Sequence, residues 1–186
     1  MKVMALDIET ANYSHEIGGW GKTHMFDPSV VATWDGEEAH IFSKEDVSVE
    51  GATVHPLHPR DLGEHLKKHV DAGGIVVGHN IRHYAGFLLN KKESVVDTSW
   101  TLREATGGAR HRLDTLCKHT LGRGKEIMDS ADAPVAWREG RYDEVAKYCL
   151  DDCKLNLDLF LHGRNEGFVK SRNEETGLIE EYSIGW

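Results

Sequence analysis

Cysteine is scarce: three thiols, at 117, 149 and 153, in 186 residues. So sparse and odd a set excludes a disulfide framework and points to a reducing compartment, here the cytoplasm. Proline numbers only four, and no low-complexity tract, internal repeat or domain linker is visible. Long apolar runs are absent. The opening MKVMALDIET holds only a short one with no small-residue cleavage site, and the longest elsewhere is the brief GIVVG. Neither a signal peptide nor a membrane span is expected. Positive charge is in deficit, 22 basic against 31 acidic residues, for a net charge of −9. That excludes coating of nucleic acid by bulk positive charge. Any nucleic acid bound is held by local basic patches or by metal ions.

What remains is ordinary globular material, with 39% hydrophobic and 28% charged residues, which argues against wholesale disorder. The length suits one domain with a short appendage. Residues 2 to 9 read as a buried strand and 11 to 28 as a polar loop. Val30–Trp34 and Ala39–Phe42 read as strands joined at Asp35-Gly36. Residues 43 to 59 show little periodicity. Leu62, Leu66 and Val70 mark a helix from Asp61 that ends near Gly73-Gly74. Ile75–Val77 reads as a strand closed by Gly78, and Asn80 as the cap of a helix through Leu88-Leu89. Val95-Val96 begins a strand ending at Asp97. One helix carries Leu113, Leu116, Cys117 and Thr120 and stops at Gly122. A longer one runs from Tyr142 to about Gly163. The charged tail either turns a hairpin at Asn173 to Gly177 or is loose. The class is α/β or α+β around one central sheet.

Three short motifs carry the chemistry. In Asp7-Ile8-Glu9-Thr10, the two acids lie two apart on a strand and share a face. Carboxylates held together repel unless a cation sits between them, and such hard oxygen ligands suit Mg²⁺ or Mn²⁺. A solvated strand end is the bland alternative. In Tyr148-Cys149-Leu150-Asp151-Asp152, the first and last residues stack on one helix face. Asp152 can then reach the same cation, with the Tyr148 phenol one turn away. The alternative is an amphipathic helix with Tyr148 in the core and Asp152 at its rim. The third motif, Gly78-His79-Asn80-Ile81-Arg82-His83-Tyr84-Ala85, is a strand-to-helix junction whose bland reading is capping and packing.

In this order the three resemble the motifs of the DEDD superfamily of 3′-to-5′ exonucleases, in its tyrosine-bearing (DEDDy) branch. D-I-E-T stands at Asp7 to Thr10, G-H-N-I-x-x-[FY] at Gly78 to Tyr84 and Y-C-x-x-D at Tyr148 to Asp152. The stretch Leu113 to Lys125 looks like the family's linking segment. The resemblance covers about residues 2 to 163. It implies an α/β, ribonuclease H-like mixed sheet flanked by helices, with an exonuclease domain over 1–168 and a C-terminal tail over 169–186. It implies a hydrolase that releases nucleoside monophosphates from the 3′ end of single-stranded nucleic acid using two Mg²⁺ or Mn²⁺ ions, and of the two nucleic acids DNA is favoured. Asp7, Glu9 and Asp152 would hold metal, Tyr148 would aim the attacking water, and Thr10 and Asn80 would line the terminal-nucleotide pocket.

One position departs. The family's second motif ends in an acid required for activity, and this chain has Ala85 there. The chain is then an exonuclease variant inactivated at that position, a naturally degenerate binding or assembly subunit, or a protein in which another acid, Asp97 being nearest, substitutes. The intact Asp7, Glu9, Tyr148 and Asp152 favour the first. An RNA-processing member of the family is a further alternative. Arg103, Arg110, His111, Arg112, Lys118, Arg123 and Lys125 form a basic stretch that either tracks a bound strand or is plain solvated surface. His65 and His69, four apart, have zinc-compatible spacing without a third ligand. Cys149 and Cys153 read as small core residues, and Trp20 and Trp34 as packing or base-stacking groups.

Overall fold

A period-two alternation divides the first strand, β1 (Val3–Thr10), between two apolar cores. Met4, Leu6 and Ile8 face one core, whereas Val3 and Ala5 face the other. The computed structural model describes residues 1–89, 92–173 and 176–186, with side chains for all of these but 86, 87 and 92.

After β1 a loop with a 3₁₀ turn (Trp20–Met25) leads to β2 (Pro28–Trp34), β3 (Ala39–Ser43) and β4 (Ala52–Pro56). Then follow α1 (Pro59–Asp71), β5 (Ile75–Gly78), α2 (Arg82–Leu89), β6 (Val95–Asp97) and α3 (Thr98–Ala105). The chain closes with α4 (Leu113–Leu121), α5 (Ala133–Arg138), α6 (Tyr142–Glu166), β7 (Phe168–Arg172) and β8 (Ile179–Ser183). The main sheet has the order β4-β3-β2-β1-β5-β6, antiparallel across β3-β2-β1 and parallel elsewhere. Helices flank it on both faces, so the protein is α/β with a mixed six-stranded sheet, an arrangement compatible with the ribonuclease H-like fold. No described helix is long and apolar enough to cross a membrane.

Helices α1 and α2 cover one face, where Leu62, Leu66, Val70 and Ala85 pack on Met4, Leu6, Val31, Phe42 and Val76. Helix α6 covers the other, with Val145, Cys149, Cys153 and Phe160 against Ala5, Val30, Ala32 and Val77. Small residues on both sides of this second contact let the helix lie close to the sheet. The Cys149 thiol points to the Val30 carbonyl at 4.0 Å and the Cys153 thiol to that of Ala32 at 3.1 Å. The core reading of these cysteines therefore holds.

Two expectations need correction, and for the tail the hairpin alternative holds. Residues 43 to 59 contain β4, an edge strand held by parallel pairing to β3 rather than by a pattern of its own. Asn80 does not start α2. It lies two residues before the helix, in the left-handed conformation (φ 66°), and the Asp97 carboxylate does the capping. Asp97 accepts the backbone N–H of Asn80 (2.8 Å), Arg82 (2.9 Å) and Trp100 (3.1 Å), which joins the starts of α2 and α3. The tail is not a loose appendage. Strands β7 and β8 pair antiparallel, and Val169, Tyr182, Ile184 and Trp186 pack on Leu102, Leu116, Leu155 and Leu159. Two residues of the turn expected between these strands, 174 and 175, lie outside the described residues.

Candidate metal centre

Strands β1, β5 and β6 run parallel, so their carboxyl ends share one edge of the sheet. Open α/β sheets place their ligand sites at such edges. Asp7 and Glu9 continue the Val3-Ala5 face of β1 towards it, and the pairing of β1 with β2 becomes irregular between Glu9 and Thr10. Strand irregularities of this kind re-aim side chains and recur beside active sites.

Helix α6 crosses above and lowers Tyr148 and Asp152, one turn apart, onto the same point. Oxygen atoms of Asp7, Glu9 and Asp152 all lie within 4.8 Å of one another. Glu9 and Asp152 are buried, at 8% and 3% exposure. One carboxylate oxygen of Asp7 (Oδ2) and one of Asp152 (Oδ1) are buried without a hydrogen-bond partner.

Such crowding is costly for three anions. Burial pushes the Asp7 carboxyl up, and burial together with the charges of Asp7 and Asp152 pushes Glu9 well up. Burial and the neighbouring Asp7 lift Asp152 to about 7. Burial, reinforced by Asp152 and Glu9, keeps the Tyr148 phenol protonated far beyond the ordinary tyrosine range. The hydroxyl is therefore available as a neutral donor or acceptor.

Lys125 is the fifth member of the site. Its ammonium donates to Asp152 Oδ2 and to the Tyr148 hydroxyl, and sits 4.6 Å from the centre of the Tyr148 ring. Burial alone would lower its pKa. The charges of Asp152 and Asp7 outweigh that and hold it above the usual lysine value. The loop after α4 places it. Gly122 ends the helix left-handed (φ 72°), and Asp114 accepts the backbone N–H of Lys125 at 2.9 Å. Between them stands Gly124, where a Cβ would come within 2.4 Å of that same Asp114 carboxylate.

A divalent cation fits this set of groups. The ligands are hard oxygens, two of them lack any partner, and one ammonium does not balance three carboxylates. Among the described residues this is the sole group of three or more His, Cys, Asp or Glu side chains close enough to share an ion.

The other expected residues lie around this point rather than in it. The Thr10 hydroxyl donates to the Asn12 carbonyl at 2.8 Å and closes the turn after β1. Asn80 is exposed at the end of β5. Ala85 is fully buried and faces β1 through the Leu6 side, opposite the carboxylates. Asp97 is spent on its three N–H donors, so it does not stand in for an acid at position 85.

The basic stretch is largely engaged within the protein. Arg112 pairs with Asp129 at 2.9 Å, Lys118 with Asp114 at 2.7 Å and Arg123 with Asp158, while His111 is buried. Of that stretch, Lys125 alone reaches the carboxylates. The zinc spacing comes to nothing, because His65 contacts the Thr33 hydroxyl at 3.0 Å and His69 the Ile75 carbonyl at 3.1 Å. Sequence reasoning named Lys125 only as the end of the linking segment and as part of a basic stretch that tracks a strand or is solvated surface. A lysine flanked by helix-stopping glycines, ahead of the Tyr148 motif, was the available signal. No protein-family model matches the chain, and no curated protein matches it.

Proposed function

We propose that this chain is the scaffold of a metal-dependent 3′-to-5′ exonuclease of the DEDDy type, acting on single-stranded nucleic acid, DNA in preference to RNA. The convergence of Asp7, Glu9 and Asp152, with two buried oxygens lacking partners, carries the reading. Tyr148 lies beside them on the same helix turn. Asp7, Glu9 and Asp152 would hold Mg²⁺ or Mn²⁺. An ion there supplies a lowered pKa for water and stabilises charge on phosphoryl and leaving oxygens.

The protein's own groups supply orientation and charge. The neutral Tyr148 hydroxyl fixes the direction of a water at the scissile phosphorus. The Lys125 ammonium offsets negative charge where a phosphate would enter. Glu9 and Asp152, being buried, keep the site poor in bulk water. A carboxylate cluster of this size would repel phosphate until a cation was held by Asp7, Glu9 and Asp152.

Ala85 favours a second reading, a binding or assembly subunit on the same fold, since no acid stands at that position. The deciding assay uses 5′-labelled single strands of DNA and RNA, with Mn²⁺ or with chelator. The exonuclease reading expects mononucleotides released from the 3′ end and metal dependence. Cuts at internal positions of a 3′-blocked strand would overturn it.

A further inference from the structure

The loop between β1 and β2 holds features that the metal centre does not use. Its ends close directly beside Glu9 and Thr10. Ala11 N–H donates to the Asp27 carbonyl (2.8 Å), Asn12 Nδ2 to the Met25 carbonyl (3.1 Å), and Asp27 N–H to Asn12 Oδ1 (3.0 Å). Its body leans on the α5 side, the side of the sheet that α6 and the carboxylates occupy. There the Tyr13 hydroxyl donates to the Ala131 carbonyl, and Arg138 donates to the Ala11 carbonyl and to Glu16. The loop is thus pinned at its base and along one flank.

From this pinned loop the large apolar groups point outwards. Trp20 is 55% and Met25 47% exposed, and Trp20 tilts against Phe26 with ring centres 5.3 Å apart. No acid occurs from residue 17 to 26, in a chain of net charge −9. The segment carries exposed Lys22 and His24, and among the described residues no carboxylate pairs with either. The cations of the 112–125 stretch, by contrast, are mostly matched to acids.

An exposed aromatic and a thioether beside an unmatched lysine, free of acids and continuous with a phosphate-chemistry site, match what a flexible single strand needs. Bases stack on aromatic faces whatever their sequence, and the lysine meets the backbone. We infer that the Trp20–Phe26 segment is a stacking platform for nucleotides upstream of the 3′-terminal one in a single-stranded nucleic acid. The inference rests on the exonuclease reading. It adds that grip on the strand grows with length through Trp20 and Met25, separately from the carboxylates.

Fluorescence anisotropy with 5′-fluorescein oligothymidylates of three and twelve nucleotides, in chelator, tests it on the full chain. A Trp20→Ala/Met25→Ala protein should bind the 12-mer roughly 10-fold more weakly, in line with the loss of one or two stacked bases. Its affinity for the 3-mer should stay within about twofold. Trp20→Phe should restore most of the loss, because a smaller ring still stacks. Leu178→Ala/Ile179→Ala, at the exposed tip of the terminal hairpin, should change neither. Equal weakening for both lengths, or no weakening for the 12-mer, would overturn the platform and leave the exonuclease reading standing. Failure of the unsubstituted chain to bind the 12-mer in chelator would overturn the platform alone, because the carboxylates repel phosphate until a cation is bound, and the exonuclease reading stands or falls on the cleavage assay.

Discussion

The ammonium of Lys125 lies against the carboxylate of Asp152, a residue 27 positions further along, with 14% and 5% of the two side chains exposed. A loop cation and a helix anion are thereby locked together at the point where β1 delivers two more acids.

Lys125→Met should destabilise the metal-free protein by roughly 3 kcal/mol, because losing one partner of a buried pair strands the other. Urea unfolding in chelator measures this. Added Mg²⁺ should then recover more stability than it adds to the unsubstituted chain, since the ion no longer competes with an ammonium. An equal gain in both proteins would show that the ion and Lys125 do not share the carboxylates.

Mg²⁺ or Mn²⁺ should raise the melting temperature of the chain as it stands. A ligand bound only to the folded state stabilises it by about 2.7 kcal/mol at a hundredfold excess over its Kd. Asp7→Ala should abolish the shift. The same shift in both proteins would place the ion elsewhere.

Because Ala85 packs on the Leu6 side of β1, away from the carboxylates, Ala85→Asp should change the rate of single-stranded DNA cleavage by less than about tenfold, roughly 1.4 kcal/mol on the barrier. Single-turnover rates at saturating Mg²⁺ decide it. Because Ala85 sits fully buried among Leu6, Ile81 and Leu89, the same substitution should lower the melting temperature in chelator. A gain of on the order of 10³-fold would mean that an acid at position 85 reaches the ions despite its place on the Leu6 side of β1.

Acidification between pH 6.5 and about 4 should cost stability at His79 and His65, while the raised carboxyls of Asp7, Glu9 and Asp152 add stability over the same range. His79 is held between the Thr98 hydroxyl and the His111 carbonyl, and burial lowers its pKa to about 4. Burial, with His40 and His55 nearby, does the same to His65. Both folded pKa values lie below the ordinary 6.5, so the unfolded chain takes up the proton first. The neutral imidazoles cost nothing above pH 6.5, and the loss levels off below pH 4. The slope is at most about 1.4 kcal/mol per pH unit for each ring, and less for half-exposed His65, where solvent screens the charge. In urea midpoints from pH 7.5 to 4, His65→Gln should gain stability relative to the unsubstituted chain as the pH falls. An unchanged slope would assign the effect to other groups.

The elements legible in the sequence were those whose signal is local. Alternation along Val3 to Glu9 put both acids of β1 on one face, and the i, i+4 spacing of Tyr148 and Asp152 put them on one side of α6. The features missed depend on partners far along the chain. β4 exists because β3 offers it a parallel edge, and its own five residues, Ala52–Pro56, carry no strand pattern. Asn80 looked like a cap because Asn often is one, yet the acceptor for that turn is Asp97, seventeen residues later. Lys125 joined the site through a loop set by Asp114 and Gly124, which no periodicity describes. Ala85 sits one turn after Ile81 as its spacing says, but which side of β1 it meets depends on how α2 lies on the sheet.

The three thiols give the protein an internal clock. Cys117, Cys149 and Cys153 are all fully buried, and burial pushes each thiol upwards, Cys117 to about 12. A thiol that is neither exposed nor ionised does not react with an alkylating reagent. Labelling can therefore occur only in molecules whose core has opened. Because Cys149 and Cys153 lie between Tyr148 and Asp152 and the sheet, their labelling rate times how often α6 lifts from β2. It reads the persistence of the candidate site directly, without any substrate.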